Sequence, residues 1–244
     1  MKWKTFPIRL EYSEHITPHI MRFIFQRADN EAFEYKPGQF INIHFEANGE
    51  PIHRSYSVAN PPATDGHIEY AVSPVENGLA TGLLSGLEPG DVIDASGPYG
   101  RFVLRDDEPC RYILAGTGTG ITPYRAMLPQ IRERIEQGFE FDVLLGVWNR
   151  DELLYGEQFV ELAHETDRFR FHVCYSRAMP DNPGSHERKG YVQKQFSDLD
   201  LNPETDVFYL CGNPDMIDDA MVMLRGAGFP IKNLRREKYL PAKQ

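Results

Sequence analysis

Cysteine is scarce in this sequence: the 244 residues hold three, Cys110, Cys174 and Cys211, an odd number at wide spacing. They offer no disulfide framework, no CxxC redox pair and no four-thiolate iron–sulfur site, so any bound metal cluster must belong to a partner. Long apolar runs are missing as well. No segment approaches a membrane-spanning length of uncharged apolar residues, and the opening Met1-Lys2-Trp3-Lys4-Thr5 lacks a continuous apolar core. Neither export nor membrane insertion is signalled, and a cytoplasmic protein is expected. Basic residues are outnumbered, 26 Lys and Arg against 36 Asp and Glu, and form no long run. Nucleic acid is therefore not an expected partner, because neutralising its backbone takes a concentrated basic surface. A local basic patch can still hold one small phosphorylated ligand.

What is present is 41% hydrophobic and 12% aromatic residues, enough for two modest cores. The first hundred residues read as six short strands, 6–12, 20–26, 39–45, 55–58, 67–72 and 91–95, rich in aromatic or β-branched residues. Pro37-Gly38, Asn48-Gly49, Pro61-Pro62, Asp65-Gly66 and Pro89-Gly90 punctuate them, and one helix is expected over 79–87. This spacing predicts an antiparallel six-stranded β-barrel, whose closure removes exposed sheet edges. Around Arg105-Asp106-Asp107-Glu108-Pro109 the pattern changes. Strands over 110–115, 141–147, 169–175 and 207–211 alternate with helices over 123–137, 155–164 and 214–227, and a short helix begins near 191. Such alternation means an α/β domain with a mostly parallel sheet covered on both faces. The expected division is 1–105 and 106–244.

Two groups of residues stand out. In the first domain, Arg54 and Tyr56 of His53-Arg54-Ser55-Tyr56-Ser57-Val58 fall on one face of an extended chain. The arginine fork suits a phosphate and the ring a flat heterocycle whose rim Ser57 can bond; an ordinary surface arginine beside a core tyrosine is the competing reading. Gly78-Leu79-Ala80-Thr81 opens a helix whose free N–H groups can hold a pyrophosphate or simply be capped. Gly97-Pro98-Tyr99-Gly100 reads as a rigid corner at the end of the domain, or as a ligand contact.

The second group is sharper. In Gly116-Thr117-Gly118-Thr119-Gly120-Ile121-Thr122-Pro123 an apolar strand feeds a glycine-rich turn, and Pro123 falls in the first turn of the following helix. Close backbone approach, exposed N–H groups and three threonine hydroxyls suit a dinucleotide's pyrophosphate. Cys211-Gly212-Asn213-Pro214 repeats the arrangement after a later strand. Cys211 can lie against a nicotinamide ring, act as a nucleophile, or be a buried structural thiol. Ser176 and Arg177 follow another strand, where they can hold an adenosine 2'-phosphate, with Lys189 and Tyr191 closing the pocket and Arg150 contributing; an exposed arginine without a ligand is the competing reading.

Taken in order and separation, these segments resemble the ferredoxin–NADP reductase family, especially its compact bacterial forms and the related flavin reductases. The resemblance covers nearly the whole chain. It implies an FAD-binding barrel followed by an NADP-binding α/β domain. Arg54, Ser55, Val72 and Gly78 to Thr81 would hold the flavin, with Tyr56 on its ring and Ser57 at its reactive nitrogen. Gly116 to Pro123 would hold the pyrophosphate of the nicotinamide cofactor, and Cys211 with Gly212, Asn213 and Pro214 its reactive ring. Glu237 is implied as a proton-positioning residue and Tyr239 as a lid, although residues 240–244 follow it. Thr81 replaces a frequent serine. Trp148 stands where several bacterial NADP-dependent relatives have arginine, whereas Ser176-Arg177 and Lys189-Gly190-Tyr191-Val192-Gln193 resemble the NADP side of plant-like members.

The family's activity would be hydride exchange between NADP(H) and FAD, with NAD(H) the less favoured cofactor, and single-electron exchange between FAD and a ferredoxin or flavodoxin, by a monomer. An NAD(P)H:flavin reductase, an oxygenase reductase component and a non-catalytic flavin-binding subunit are the alternatives.

Overall fold

The computed structural model describes residues 4–47, 49–63, 65–75 and 78–240. Asn48 of the 48–49 turn and residues 241–244 lie outside them. By contact the chain divides into two compact units, the first running to Leu104 and taking in Thr122–Met127, the second holding Arg105–Ile121 and Leu128–Leu240.

The first unit is built on six strands: β1 (Phe6–Thr17), β2 (Ile20–Arg27), β3 (Phe40–Ala47), β4 (Glu50–Ser57), β5 (His67–Val72) and β6 (Val92–Tyr99). They form one antiparallel sheet in the order β4-β3-β6-β1-β2-β5. Alternation sets what each strand buries. Ile8 and Leu10 of β1, Phe23 and Phe25 of β2, Ile41 and Ile43 of β3, and Ile68 and Tyr70 of β5 are all inside. Helix α1 (Leu79–Ser85) adds Leu84 to this core. The edge strands β4 and β5 meet just beyond β4, where the Ala59 N–H donates to the Glu69 carbonyl at 2.7 Å.

The second unit carries β7 (Arg111–Thr117), β8 (Glu140–Val147), β9 (Phe169–Tyr175), β10 (Glu187–Lys189), β11 (Val207–Gly212) and β12 (Leu234–Lys238). All run parallel, in the order β10-β9-β8-β7-β11-β12. Helices α2 (Thr122–Glu136), α3 (Gly156–Glu165) and α4 (Pro214–Gly226) link them. A parallel sheet covered by helices is buried on both faces, and β11 is accordingly buried at every position. Asp142 of β8 interrupts the apolar run. It is buried, accepts from Arg170 Nε at 2.7 Å and Nη2 at 2.9 Å, and is thereby tied to β9. Burial acts to raise the Asp142 pKa, but His172 and Arg170 outweigh it and hold the carboxyl below its usual range.

Several bounds differ from the sequence reading. Strand β4 begins at Glu50, five residues early, and the short helix after 191 is a 3₁₀ helix, Val192–Asp198. Strands β10 and β12 were not expected at all. No helix among the described residues is long and apolar enough to cross a membrane.

Candidate functional site

The chain leaves β7 through the 3₁₀ turn Gly118–Ile121 into α2, then fills the sheet on one side with β8, β9 and β10 before returning with β11 and β12 on the other. The order therefore reverses between β7 and β11. In open parallel sheets a crevice forms beyond the carboxyl ends at such a switch point, and ligands bind there. The Gly116 turn and the Cys211 loop leave the two flanking strands side by side, with Gly116 opposite Cys211 in the ladder and Cys211 opposite Glu237 of β12.

These two loops lock together. A Cβ on Gly120 would lie 2.4 Å from the Cys211 carbonyl oxygen, closer than any side chain allows. Gly212 has φ +112°, and a Cβ there would meet Thr117 Oγ1 at 2.6 Å. The Asn213 N–H donates to that same hydroxyl at 2.9 Å, while Asn213 Oδ1 caps α4 by accepting from Asp215 and Met216. Pro214 fills the first turn of α4. Thr117, Gly212 and Asn213 are thus structural parts of the crevice wall, whatever they also offer a ligand. Thr122 and Pro123 belong, with the first turn of α2, to the other unit.

Cys211 is fully buried. Burial drives its thiol pKa well up, Glu237 adds to this, and a hydrogen bond with Tyr239 opposes it. A nucleophile needs the reverse shift, so the thiol form is held in place and covalent catalysis is disfavoured. Tyr239 is also fixed by its own N–H, which donates to the Gly212 carbonyl at 2.9 Å. Cys211, Glu237 and Tyr239 are therefore brought together by the β11–β12 pairing.

Further along the same sheet edge, Val147, Tyr175 and Lys189 stand in register at the ends of β8, β9 and β10. Backbone bonds from Ser176, Arg177 and Ala178 to the Val147 and Trp148 carbonyls fold the 176–178 turn over the end of β8, and Ser176 Oγ donates to Val147 O at 3.2 Å. The Arg177 guanidinium lies over the Trp148 ring, 3.9 Å from its centroid. Arg150 Nη2 reaches both oxygens of Glu187 at 2.9 Å. Glu187 is buried and also accepts from Tyr175 Oη at 2.5 Å and the Gly184 N–H at 2.6 Å. Burial would raise its pKa, but these donors outweigh it and hold the carboxyl at about 2. Tyr191 is exposed. Beside it the buried Gln193 donates to Asp219 at 3.1 Å, while its Oε1 has no partner among the described residues, an orphan acceptor of the kind a bound ligand satisfies.

In the first unit, Arg54 and Tyr56 fall on one face of β4, and Ser55, on the other, donates to Asn42 Oδ1 at 2.7 Å. Arg54 Nη1 donates to the His53 carbonyl at 2.8 Å, which leaves its other edge for an anion. The half-buried Tyr56 ring stacks on Tyr70 with centroids 4.9 Å apart. Burial pushes the Tyr56 hydroxyl up to about 12, with Arg54 acting the other way. The Tyr70 hydroxyl is wholly buried without a partner among the described residues. Ser57 and Val72 are buried at the ends of β4 and β5. Gly78 caps α1 through its backbone, and Thr81 Oγ1 accepts from the Val75 N–H at 3.0 Å, which gives that hydroxyl a turn-forming role. Sequence reasoning missed Glu187 and Arg125, a largely buried cation on α2; neither lies in a motif, and Arg150 and Tyr175 on Glu187, like Glu69 and Ala59 on Arg125, are remote in sequence.

Comparison with known proteins matches the model "Oxidoreductase FAD-binding domain" to residues 7–104 and "Oxidoreductase NAD-binding domain" to residues 114–221. Ferredoxin–NADP reductase B of Sorangium cellulosum is 31% identical over 96% of this chain and 97% of its own length. The propane 2-monooxygenase reductase component of Rhodococcus jostii is 29% identical over 95% of this chain, which spans 62% of that relative. Among solved structures, the Amycolatopsis cytochrome P450 reductase GcoB aligns with a TM-score of 0.86 at 26% identity, over 98% of this chain and 71% of that one. Two adjoining family models in this order, and a relative matched along nearly its whole length, show that the chain belongs to the ferredoxin–NADP reductase family of FAD- and NAD(P)-dependent oxidoreductases.

Proposed function

We propose that the chain is a cytoplasmic, monomeric ferredoxin– or flavodoxin–NADP reductase, with an FAD module over 1–105 and an NADP module over 106–244. The observation that carries the choice of NADP is the row of cations Arg150, Arg177 and Lys189 beside the aligned ends of three neighbouring strands. Such a row suits the extra phosphate that distinguishes NADP from NAD. Ser176 and Tyr191 border it, and Gly116, Thr117, Gly118, Thr119 and Gly120 supply the pyrophosphate seat, completed by Thr122 and Pro123. Cys211, with Gly212, Asn213 and Pro214, lines the nicotinamide end as a thiol, and Glu237 beside it holds a proton or orients the ring.

On the first unit, Arg54 and the turn of Gly78, Leu79, Ala80 and Thr81 would hold the flavin phosphates. Tyr56 would lie on the ring, Ser55, Ser57 and Val72 would bond or line its rim, and Tyr239 would cover it. The flavin, when bound, accepts a hydride from the nicotinamide and gives up electrons singly, chemistry that amino-acid side chains lack. The acceptor is proposed as a ferredoxin or flavodoxin.

Replacing Arg177 with alanine is expected to lower kcat/KM for NADPH about ten- to hundredfold, the loss of a charge-assisted phosphate contact, and that for NADH less than about threefold. Equal losses with both would overturn the assignment of the 2'-phosphate. A second reading, an oxygenase reductase component, is favoured by the monooxygenase relatives, and reduction of an oxygenase rather than a ferredoxin would select it. Loss of flavin during gel filtration would instead indicate a flavin reductase.

A further inference from the structure

Arg125 stands two residues after Pro123 on α2, within the part of that helix that groups with the first unit. Its side chain is only 11% exposed. A guanidinium withdrawn that far from water needs partners, and Arg125 has them on two segments. Its Nη1 donates to the Glu69 carboxylate of β5 at 2.9 Å and to the Ala59 carbonyl at 3.0 Å. Glu69 is equally withdrawn, and Arg22 of β2 stands 3.9 Å from it.

Those two segments are joined by more than the arginine. The Ala59 N–H donates to the Glu69 carbonyl, and the Glu69 N–H donates to Asn60 Oδ1 at 2.8 Å. Asn60 Nδ2 donates to the His67 carbonyl at 3.1 Å, and Tyr35 donates its hydroxyl to the Asn60 carbonyl. The joint lies where edge strand β4 ends and approaches edge strand β5. Ser57, the last residue of β4, is two residues from Ala59.

We propose that Arg125 is a positioning residue for the flavin seat: by gripping Glu69 and the Ala59 carbonyl together it fixes the 57–60 backbone, and with it the groups that Tyr56 and Ser57 present. The inference rests on the reading that β4 carries the flavin. A site whose supporting bonds are set beforehand binds with less ordering cost, and removing Arg125 leaves a buried carboxylate and a carbonyl short of a charged donor. Both contacts leave the one nitrogen Nη1, and a lysine ammonium, being more strongly hydrated than a guanidinium, is the costlier charge to withdraw from water there.

The test compares wild type with Arg125→Met and Arg125→Lys in three measurements: the FAD dissociation constant, the visible circular dichroism of the bound flavin, and the far-ultraviolet spectrum as a check on folding. FAD is expected to bind at least about tenfold more weakly to Arg125→Met and about threefold more weakly to Arg125→Lys, with an altered visible spectrum on an unchanged fold. Both variants within about twofold of wild type, with superimposable visible spectra, overturn the proposal. Should Arg125→Met fail to fold, Arg125→Lys decides by the same spectrum: changed on an intact fold supports the clamp, unchanged overturns it. Wild-type protein that binds no flavin at all would instead sink the underlying reading, and this inference with it.

Discussion

Glu187 shows how a buried side chain can set the behaviour of exposed neighbours. Four donated contacts from three residues converge on its carboxylate, and one of the donors is Arg150, which belongs to the proposed phosphate pocket. Its folded-state pKa of about 2 lies below the ordinary 4.5, so the ion favours the folded state above about 4.5 and loses that contribution as pH falls toward 2. The melting-temperature difference between wild type and Glu187→Gln is expected to stay constant at higher pH and to close across that window. A difference that persists unchanged to pH about 2 would show that the carboxylate's charge is not what matters. None of this is legible in the sequence. Glu187 lies 37 residues from Arg150 and 12 from Tyr175, and no short-range pattern ties them.

At the scale of elements, Gly120→Ala probes the joint between the β7 turn and the β11 loop, because the new methyl would meet the Cys211 backbone rather than a flexible side chain. The overpacking is expected to cost about 1–3 kcal/mol, read as a lower melting temperature. An unchanged melt would mean that the loops separate more readily than their packing implies. The central strands were legible because burial on both faces writes an unbroken apolar run, as in Tyr112-Ile113-Leu114-Ala115 and Val207-Phe208-Tyr209-Leu210. Edge strands escape the same logic. Strand β12 carries Arg235, Arg236, Glu237 and Lys238, and the early half of β4 carries exposed Glu50, Pro51 and His53, so backbone pairing rather than hydrophobicity defines both. Gly120 and Gly212 were legible for a related reason, since the close backbone approach there leaves no room for a side chain. That Thr117 and Asn213 are partly occupied in holding those turns together was not.

At the scale of the whole molecule, one unit offers a ring, a cation and a helix start, and the other offers two glycine loops with a buried thiol and a row of cations. Neither set performs redox chemistry alone; on the proposed reading each is a seat for a group that does. The formal charge of -10 makes the cationic row a local feature rather than an expression of overall composition. The central claim is tested most directly by anaerobic stopped-flow mixing of the purified protein with NADPH and, separately, NADH, followed by a ferredoxin or flavodoxin. Bleaching of a bound yellow flavin, faster with NADPH, and its recovery on adding the carrier are the expected result. A chromophore that neither cofactor reduces, or a folded protein that carries none, would contradict it.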